Sequence, residues 1–426
     1  PTQPNGAGRK SRSFRKLRRD TWQLATGRKR GERLTEIEKK YTDEFDYLGN
    51  TAYLNCCSVG MQPKRTLAFC EGFQRDFVKT LGSKCYGAYE AERFGVAKTL
   101  ARMIHCKPEE IQLTHNTTEG DCLLMRSYPF RPGDSVVVSD FDYPAMVYGW
   151  YQLQEKGVVI RKVRAVNGMV RAEDVIAAMD ETTKAVSISQ VQYMSGYKTD
   201  LYAIGQACHG RGILLSVDAA QGLGRNEIDV KEMHISVLSA GSFKGMLGVL
   251  GAAFYYCDEA LIPGLRPDVW SEGNIAVEET EFPALDYQGT LPYQTGMDRM
   301  AGGSVNTYGI LAMGISANLL LEIGVDRIHA RVQELERLYR NLLAEAYLPV
   351  HLLGDENPEH WSGNVCLYFD EEKLERLEKG LEQAEIYATI RHVRGRGFLR
   401  IGLHYYNTEQ HIHRLVNVLQ AVLAAE

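Results

Sequence analysis

The chain has 426 residues, enough for one large domain and a smaller companion, and its formal charge of -5 offers no global attraction to nucleic acid. Its apolar stretches are broken by Gly, Asp or Arg well short of the ~20 residues a membrane span needs, so no transmembrane helix is expected. Nine cysteines without paired spacing, apart from adjacent Cys56 and Cys57, argue against a disulfide framework or a zinc site and for a reducing compartment.

The first 33 residues are locally basic, with GRKSRSFRKLRR and GRKRGER interrupted by Trp22 and Leu24. They read as a solvated or dimer-clasping arm in preference to a polyanion-binding one, and lack the apolar core of a secretory signal, so a cytoplasmic location is expected unless an export signal preceded them. A helix is predicted around Leu34 to Tyr47. YLNCCSVG then reads as a short strand and glycine loop in which Cys56 and Cys57 are small buried residues. Leu67, Cys70, Phe73 and Phe77 have the spacing of a helix over Lys64 to Leu81.

From Val96 to Tyr256 strand and helix signals alternate. VVVSD, VVIRKV, AVSISQV, ILLSVD, SVLSA and AAFYY are short β-rich runs separated by helical stretches such as EDVIAAMDE and DLYAIGQACHGRG. Runs apolar along their length belong to strands covered on both faces, which predicts an α/β domain with a mostly parallel sheet flanked by helices. Asp218 ends one such run and Lys244 follows the next, which brings them together at the carboxyl edge where open α/β sheets bind ligands. A lysine amine can form a Schiff base with an aldehyde, and a carboxylate can keep a pyridine nitrogen protonated; together they suit pyridoxal phosphate. Thr117 and Thr118 stand where an apolar helix begins, a position that suits a phosphate or, alternatively, an ordinary N-cap.

The segment from Cys257 to Ala301 is rich in Pro, Gly, Trp and Tyr and carries few regular signals. One long helix is predicted from Tyr308, with Val332, Leu335, Leu338 and Leu342 on one stripe. A strand near Val365 to Phe369, a helix near Leu374 to Ala384, a strand at Gly397 to Leu403 and a terminal helix through Val416 and Leu423 complete a small α+β C-terminal domain. The expected division is an N-terminal basic arm and helix (1–52), a large cofactor-binding domain (53–307) and the small domain (308–426).

Eight motifs occur in a fixed order: LNCCSVG (54–60), THNTTEG (114–120), SDFDYPA (139–145), SQVQYMSG (189–196), VDAAQ (217–221), SAGSFKG (239–245), GGSVN (302–306) and LRIGLHYYNTEQ (399–410). The set resembles the class V aminotransferases, pyridoxal-phosphate-dependent proteins of fold type I that include cysteine desulfurases and isopenicillin N epimerase-like proteins. The resemblance implies pyridoxal 5'-phosphate as cofactor, with Lys244 as Schiff-base lysine and Cα base and Asp218 at the ring nitrogen. It places Tyr143 over the ring, Gln221 near the phenolic oxygen, and Thr117, Thr118 and Ser242 at the phosphate, with Ser239 as the alternative to Ser242. Ser304 would reach the partner subunit's phosphate, or cap a helix. Arg400 would hold the substrate α-carboxylate, with Asn55 beside it, Tyr193 and Gln192 bordering the same pocket or packed at the sheet edge, and Arg391, Arg394 and Arg396 in surface ion pairs or, alternatively, at the substrate. The implied assembly is a homodimer with shared active sites acting on an amino-acid-type small molecule, with no metal, nucleic acid or membrane partner.

Phe243 and Gly241 depart from the histidine and serine usual in the family around its lysine, and Tyr143 stands where desulfurases carry histidine. No cysteine lies between Ile386 and Arg400, where a desulfurase's nucleophilic thiol is expected; the last cysteine is Cys366. The reading is therefore a β-eliminating C–S lyase working through a Cα carbanion, with an aminotransferase or epimerase as alternatives. A catalytically silent binding or scaffold member of the fold is the non-enzyme alternative.

Overall fold

The computed structural model describes residues 37–276 and 290–424, so the basic arm and the start of the helix expected from Leu34 lie outside the described residues. A one-turn helix α1 (Lys39–Thr42) and strand β1 (Ala52–Tyr53) precede helices α2 (Lys64–Lys79) and α3 (Ser83–Ile104). The α/β region then runs β2 (Ile111–Thr114), α4 (Thr117–Asp121), α5 (Leu123–Ser127), β3 (Ser135–Ser139), α6 (Pro144–Gln152), β4 (Val159–Val163) and α7 (Ala172–Ala177). It continues through β5 (Thr183–Ser189), α8 (Leu201–His209), β6 (Leu214–Asp218), β7 (Val237–Gly241) and β8 (Ala253–Cys257).

These strands form a seven-stranded sheet in the order β2-β8-β7-β6-β5-β3-β4. The five strands from β4 to β7 are mutually parallel, while β8 runs antiparallel to both β7 and β2. All residues of β3, β7 and β8 are buried, as expected for a sheet covered on both faces. Only Val163 is buried in the edge strand β4, whose Arg161 and Lys162 interrupt its apolar run. All six predicted runs form strands. Strand β2 escaped prediction because Gln112 and Thr114, though buried, leave it only two apolar residues.

Helix α9 (Thr307–Ile323) is buried along most of its length, and α10 (Val325–Ala346) follows it at 78°. The single long helix expected from Tyr308 is thus two, broken at Gly324 with φ +95°. No single helix among the described residues is long and apolar enough to cross a membrane. After β9 (His351–Leu352) come β10 (Asn364–Asp370), α11 (Leu374–Gln383), β11 (Ile386–Tyr387), β12 (Thr389–Val393), β13 (Arg396–Gly402) and α12 (Glu409–Leu423). Strands β12-β13-β10-β9 make a four-stranded antiparallel sheet, in which β12 was unpredicted because Arg391 and His392 obscure its alternation.

The N-terminal loop ties the two sheets together. Strand β1 pairs in parallel with β11, Asn55 bridges to Gly402, and the Gly60 N–H donates to the Phe243 carbonyl at 2.7 Å. The apolar face predicted for α2 is only partly covered: Phe69 and Phe73 pack against Tyr308, but Phe77 is 45% exposed and Val78 71%.

Candidate active site

Because β8 reverses direction between β7 and β2, the carboxyl ends of β2, β3, β5, β6 and β7 all lie along one edge of the sheet. That edge collects Thr117 after β2, Tyr143 after β3, Tyr193 after β5, Asp218 at the end of β6 and Lys244 after β7. Asp218 is buried, and one carboxylate oxygen accepts the Ala220 N–H at 2.7 Å. The Lys244 amine makes no hydrogen bond or ion pair with any described residue. It lies 5.8 Å from the centre of the Tyr143 ring and 5.5 Å from that of Phe243, so Phe243 supplies an aromatic face where a polar group was expected.

Burial lowers the Lys244 pKa, Asp218 opposes that effect, and Arg400 and Arg225 add to it. Burial likewise raises the Asp218 pKa against the attraction of Lys244. Both groups are thus pushed toward neutrality, since burial outweighs their mutual attraction across a gap they do not bridge.

Tyr143 meets Tyr193 edge-to-face at 5.4 Å and 83°. Asp142 beside it braces the strand ends, accepting the Ser189 N–H at 3.0 Å and Gln192 Nε2 at 2.9 Å; burial raises its pKa to about 6. Gln192 is fully buried in this brace at the sheet edge.

At the start of α4 the N-cap is Asn116, whose Oδ1 accepts the Glu119 N–H at 3.1 Å. Thr117 and Thr118 are therefore not caps, and neither hydroxyl has a hydrogen-bond partner among the described residues. A Cβ at Gly241 would stand 2.9 Å from Thr117 Oγ1, so the missing serine side chain leaves room that Thr117 borders. Ser242 does not join the threonines: it is fully buried and its hydroxyl donates to the Val249 carbonyl. Ser239 instead donates to Asp121. Ser304 lies exposed on the loop before α9 and hydrogen-bonds no described residue, while Asn306, not Ser304, caps that helix by accepting the Gly309 N–H at 3.0 Å.

Gln221 gives one Nε2 hydrogen to the Cys57 carbonyl at 3.0 Å and accepts Asn364 Nδ2 at 2.9 Å, which leaves one amide hydrogen free. Beneath it, fully buried Arg225 donates to the Leu403 carbonyl at 2.9 Å and the Gln221 carbonyl at 2.6 Å, with no acidic partner among the described residues. Arg400 donates to the Tyr193 carbonyl at 2.6 Å and to Ser58 Oγ at 2.9 Å, while its buried Nε–H has no partner. Ser58 and Thr389 hydroxyls lie 2.7 Å apart, and Thr389 donates to Asn55 Oδ1 at 2.5 Å. Asn55 therefore reaches Arg400 through this chain of hydroxyls. Arg391, Arg394 and Arg396 are exposed and form no ion pair with a described residue, contrary to expectation; Arg396 stacks on Tyr368 at 4.8 Å.

Sequence reasoning missed Asp121, Asp142, Ser58, Arg225, Asn364 and Thr389. Ser58 and Asp142 lay inside quoted motifs, and an acid opening the apolar run after THNTTEG marks Asp121. The others come from distant segments joined only by the fold.

The arrangement fits pyridoxal phosphate. An unpartnered recessed amine faces a buried carboxylate across a gap, an aromatic ring flanks the amine, and two free hydroxyls stand at a helix start. The family model for class V aminotransferases matches residues 72–415. The chain belongs to this family.

Among relatives of this class V chain, a probable cysteine desulfurase of Methanothermobacter thermautotrophicus is 27% identical over 342 residues, covering 76% of this chain and 82% of the relative. An uncharacterized aminotransferase of Schizosaccharomyces pombe is 27% identical over 324 residues, covering 73% and 77%. The apo cysteine desulfurase structure from Thermococcus onnurineus superposes with a TM-score of 0.80 at 20% identity, covering 91% of this chain and 98% of that one. The cystine C–S lyase C-DES, solved with cysteine persulfide, gives a TM-score of 0.78 at 18% identity, covering 89% and 100%. These likenesses identify the fold as that of fold type I enzymes. The class V chain is accordingly a pyridoxal-phosphate-dependent enzyme, and the mixed α/β fold expected from sequence is the one found.

Proposed function

We propose that this enzyme is a C–S lyase that cleaves the Cβ–S bond of a cysteine-derived amino acid by β-elimination. The observation that carries the reading is the hairpin leading to Arg400. It turns tightly at Arg394 and Gly395, both with positive φ, and contains no cysteine, while Cys366 is buried on β10 opposite Arg400. A thiol poised to take sulfur from the substrate is therefore missing from this wall. Relatives named cysteine desulfurase support a cysteine-type substrate class.

When bound, pyridoxal phosphate supplies an electron sink for the bond-breaking at Cα and Cβ. Arg400 holds the α-carboxylate with its remaining Nη hydrogens, which fixes the Cα–H bond relative to the ring. The Lys244 amine takes the Cα proton, and its lowered pKa makes the neutral base available nearer neutrality. Sulfur then leaves from Cβ with the bonding electron pair. Tyr143, half exposed, and Tyr193 line the pocket beside the amine.

Incubation with cystine or an S-substituted cysteine is expected to release pyruvate, ammonia and the sulfur product in equal amounts. Accumulation of the pyridoxamine form without pyruvate would indicate an aminotransferase instead, and loss of optical activity without pyruvate an epimerase.

The same reading includes a homodimer with shared sites, resting on Ser304, which is exposed and hydrogen-bonds no described residue, and on the exposed apolar side chains of α2. Mixing Lys244→Ala chains with Ser304→Ala chains should restore cofactor retention in one of the two sites per heterodimer. A fully active monomer in sedimentation at assay concentration would rule the shared site out.

A further inference from the structure

Behind Asp218 stands a second buried carboxyl group with no role in the chemistry above. Asp121 ends α4 and is buried, and its Oδ1 accepts the hydroxyl of Ser239, which is buried too. Ser239 is directly opposite Asp218 in the parallel register of β6 and β7, so both side chains emerge on the same face of the sheet. The approach of α4 is fixed by Gly120: a Cβ there would come within 2.6 Å of the Ser239 Cβ and 2.7 Å of the Tyr255 Cβ. Only glycine lets the helix sit this close, and that contact delivers Asp121 to the neighbourhood of Asp218.

We infer that Asp121 and Asp218 form one buried two-carboxyl unit that holds a single proton, with the charge on Asp218 and the proton on Asp121. Asp121 is thus a positioning residue that sets the charge behind the cofactor's ring nitrogen. Two carboxylates in one buried site cannot both ionise cheaply, and the environment decides which keeps the proton. Asp218 faces the Lys244 cation and has the Ala220 N–H, both of which favour its charged form. Asp121 faces Asp218 from β6 and Asp142 from the start of α6, both repulsive, with only Lys244 and the Ser239 hydroxyl in its favour. On the other elements packed against α4, the ionisable groups are Tyr255, Tyr256 and Cys257 of β8, Arg126 of α5, and Tyr148 and Tyr151 of α6. Burial and these acids raise the Asp121 pKa well above the usual carboxylate range. As pH rises through that value, a second negative charge arises behind the ring nitrogen and strengthens the hold on its protonated form.

The inference rests on the cofactor reading, and the test separates the two. Apo-protein is titrated with pyridoxal 5'-phosphate from about pH 6 to pH 10, a span wide enough for a raised carboxyl pKa, and dissociation constants are read from absorbance and fluorescence. Asp121→Asn keeps the shape and the acceptor for Ser239 but is neutral at every pH. The ratio of its dissociation constant to that of wild type should be near one at the acid end. It should rise about three- to tenfold at the alkaline end, the range for one added charge in a partly screened site. Ionisations common to both proteins cancel in the ratio. In Ser239→Ala, which removes a donor favouring ionised Asp121, the rise in affinity should begin at higher pH. A ratio that stays flat across the range overturns the inference while leaving the cofactor reading standing. Wild type that binds no pyridoxal phosphate at any pH overturns both.

Discussion

Lys244→Ala should lose turnover by at least about 10²- to 10⁴-fold, the contribution of a single positioned general base, with loss of the covalent anchor added to it. The fold should survive, because the amine makes no hydrogen bond or ion pair among the described residues and lies 5.8 and 5.5 Å from the ring centres of Tyr143 and Phe243. The apo variant should in fact resist urea as well as wild type or better near neutrality. The sign follows from the lowered pKa: a lysine that protonates less readily folded than unfolded costs stability wherever the unfolded chain is charged. That cost is largest below the folded pKa and fades as pH rises toward the unfolded value of about 10.4. Wild-type apo-protein should therefore gain stability on this account as pH rises through that window, and Lys244→Ala should lack the gain. Urea melts across the window, read beside the absorbance of the cofactor-loaded forms, check both statements. A variant retaining more than about a tenth of wild-type turnover would contradict the role of Lys244 as the base.

Asp218→Asn should show the second large effect, a fall in turnover of about 10²- to 10³-fold, comparable to removing one preorganised charge-stabilising group from a buried site. The turn after β6 is preserved, since an amide oxygen can still accept the Ala220 N–H at 2.7 Å. What disappears is the negative charge that keeps the ring nitrogen protonated, so cofactor affinity should weaken as well. A third consequence needs no cofactor. Asp218 raises the Lys244 pKa against burial, so its neutralisation must lower that pKa further. The pH at which the apo-protein's lysine begins to react with an amine-directed acylating reagent should move down in the variant. An unchanged pH would mean that the two residues are not electrostatically linked.

The large sheet was legible because its strands carry their own signal. A run such as LLSVD or VLSAG is apolar enough to demand cover on both faces, and its end marks the catalytic edge without knowledge of the rest. Strand β2, with Gln112 and Thr114 buried, and β12, carrying Arg391 and His392, gave no such signal because neighbours rather than local pattern determine their pairing. The same holds within the site. Asp218 and Lys244 follow from their strands, whereas the brace at Asp142 and the relay from Asn55 to Arg400 depend on contacts between segments separated by up to 342 residues in sequence. Ser242 was misplaced because spacing cannot tell which way a loop hydroxyl turns, and here it turns inward to Val249.

The stitching of residues 52–60 to residues 386–402 has a further consequence for how the molecule is made. Four contacts that back the site draw on the C-terminal segment: Asn364 at Gln221, Leu403 over Arg225, Thr389 against Ser58, and β11 beside β1. Closing the loop from β1 to β11 spans most of the chain, and such long-range closures come late in folding. A chain cut after β8 is therefore expected to keep Lys244 and Asp218 yet hold the cofactor weakly, because the contacts from residues 364–403 that back the site would be gone.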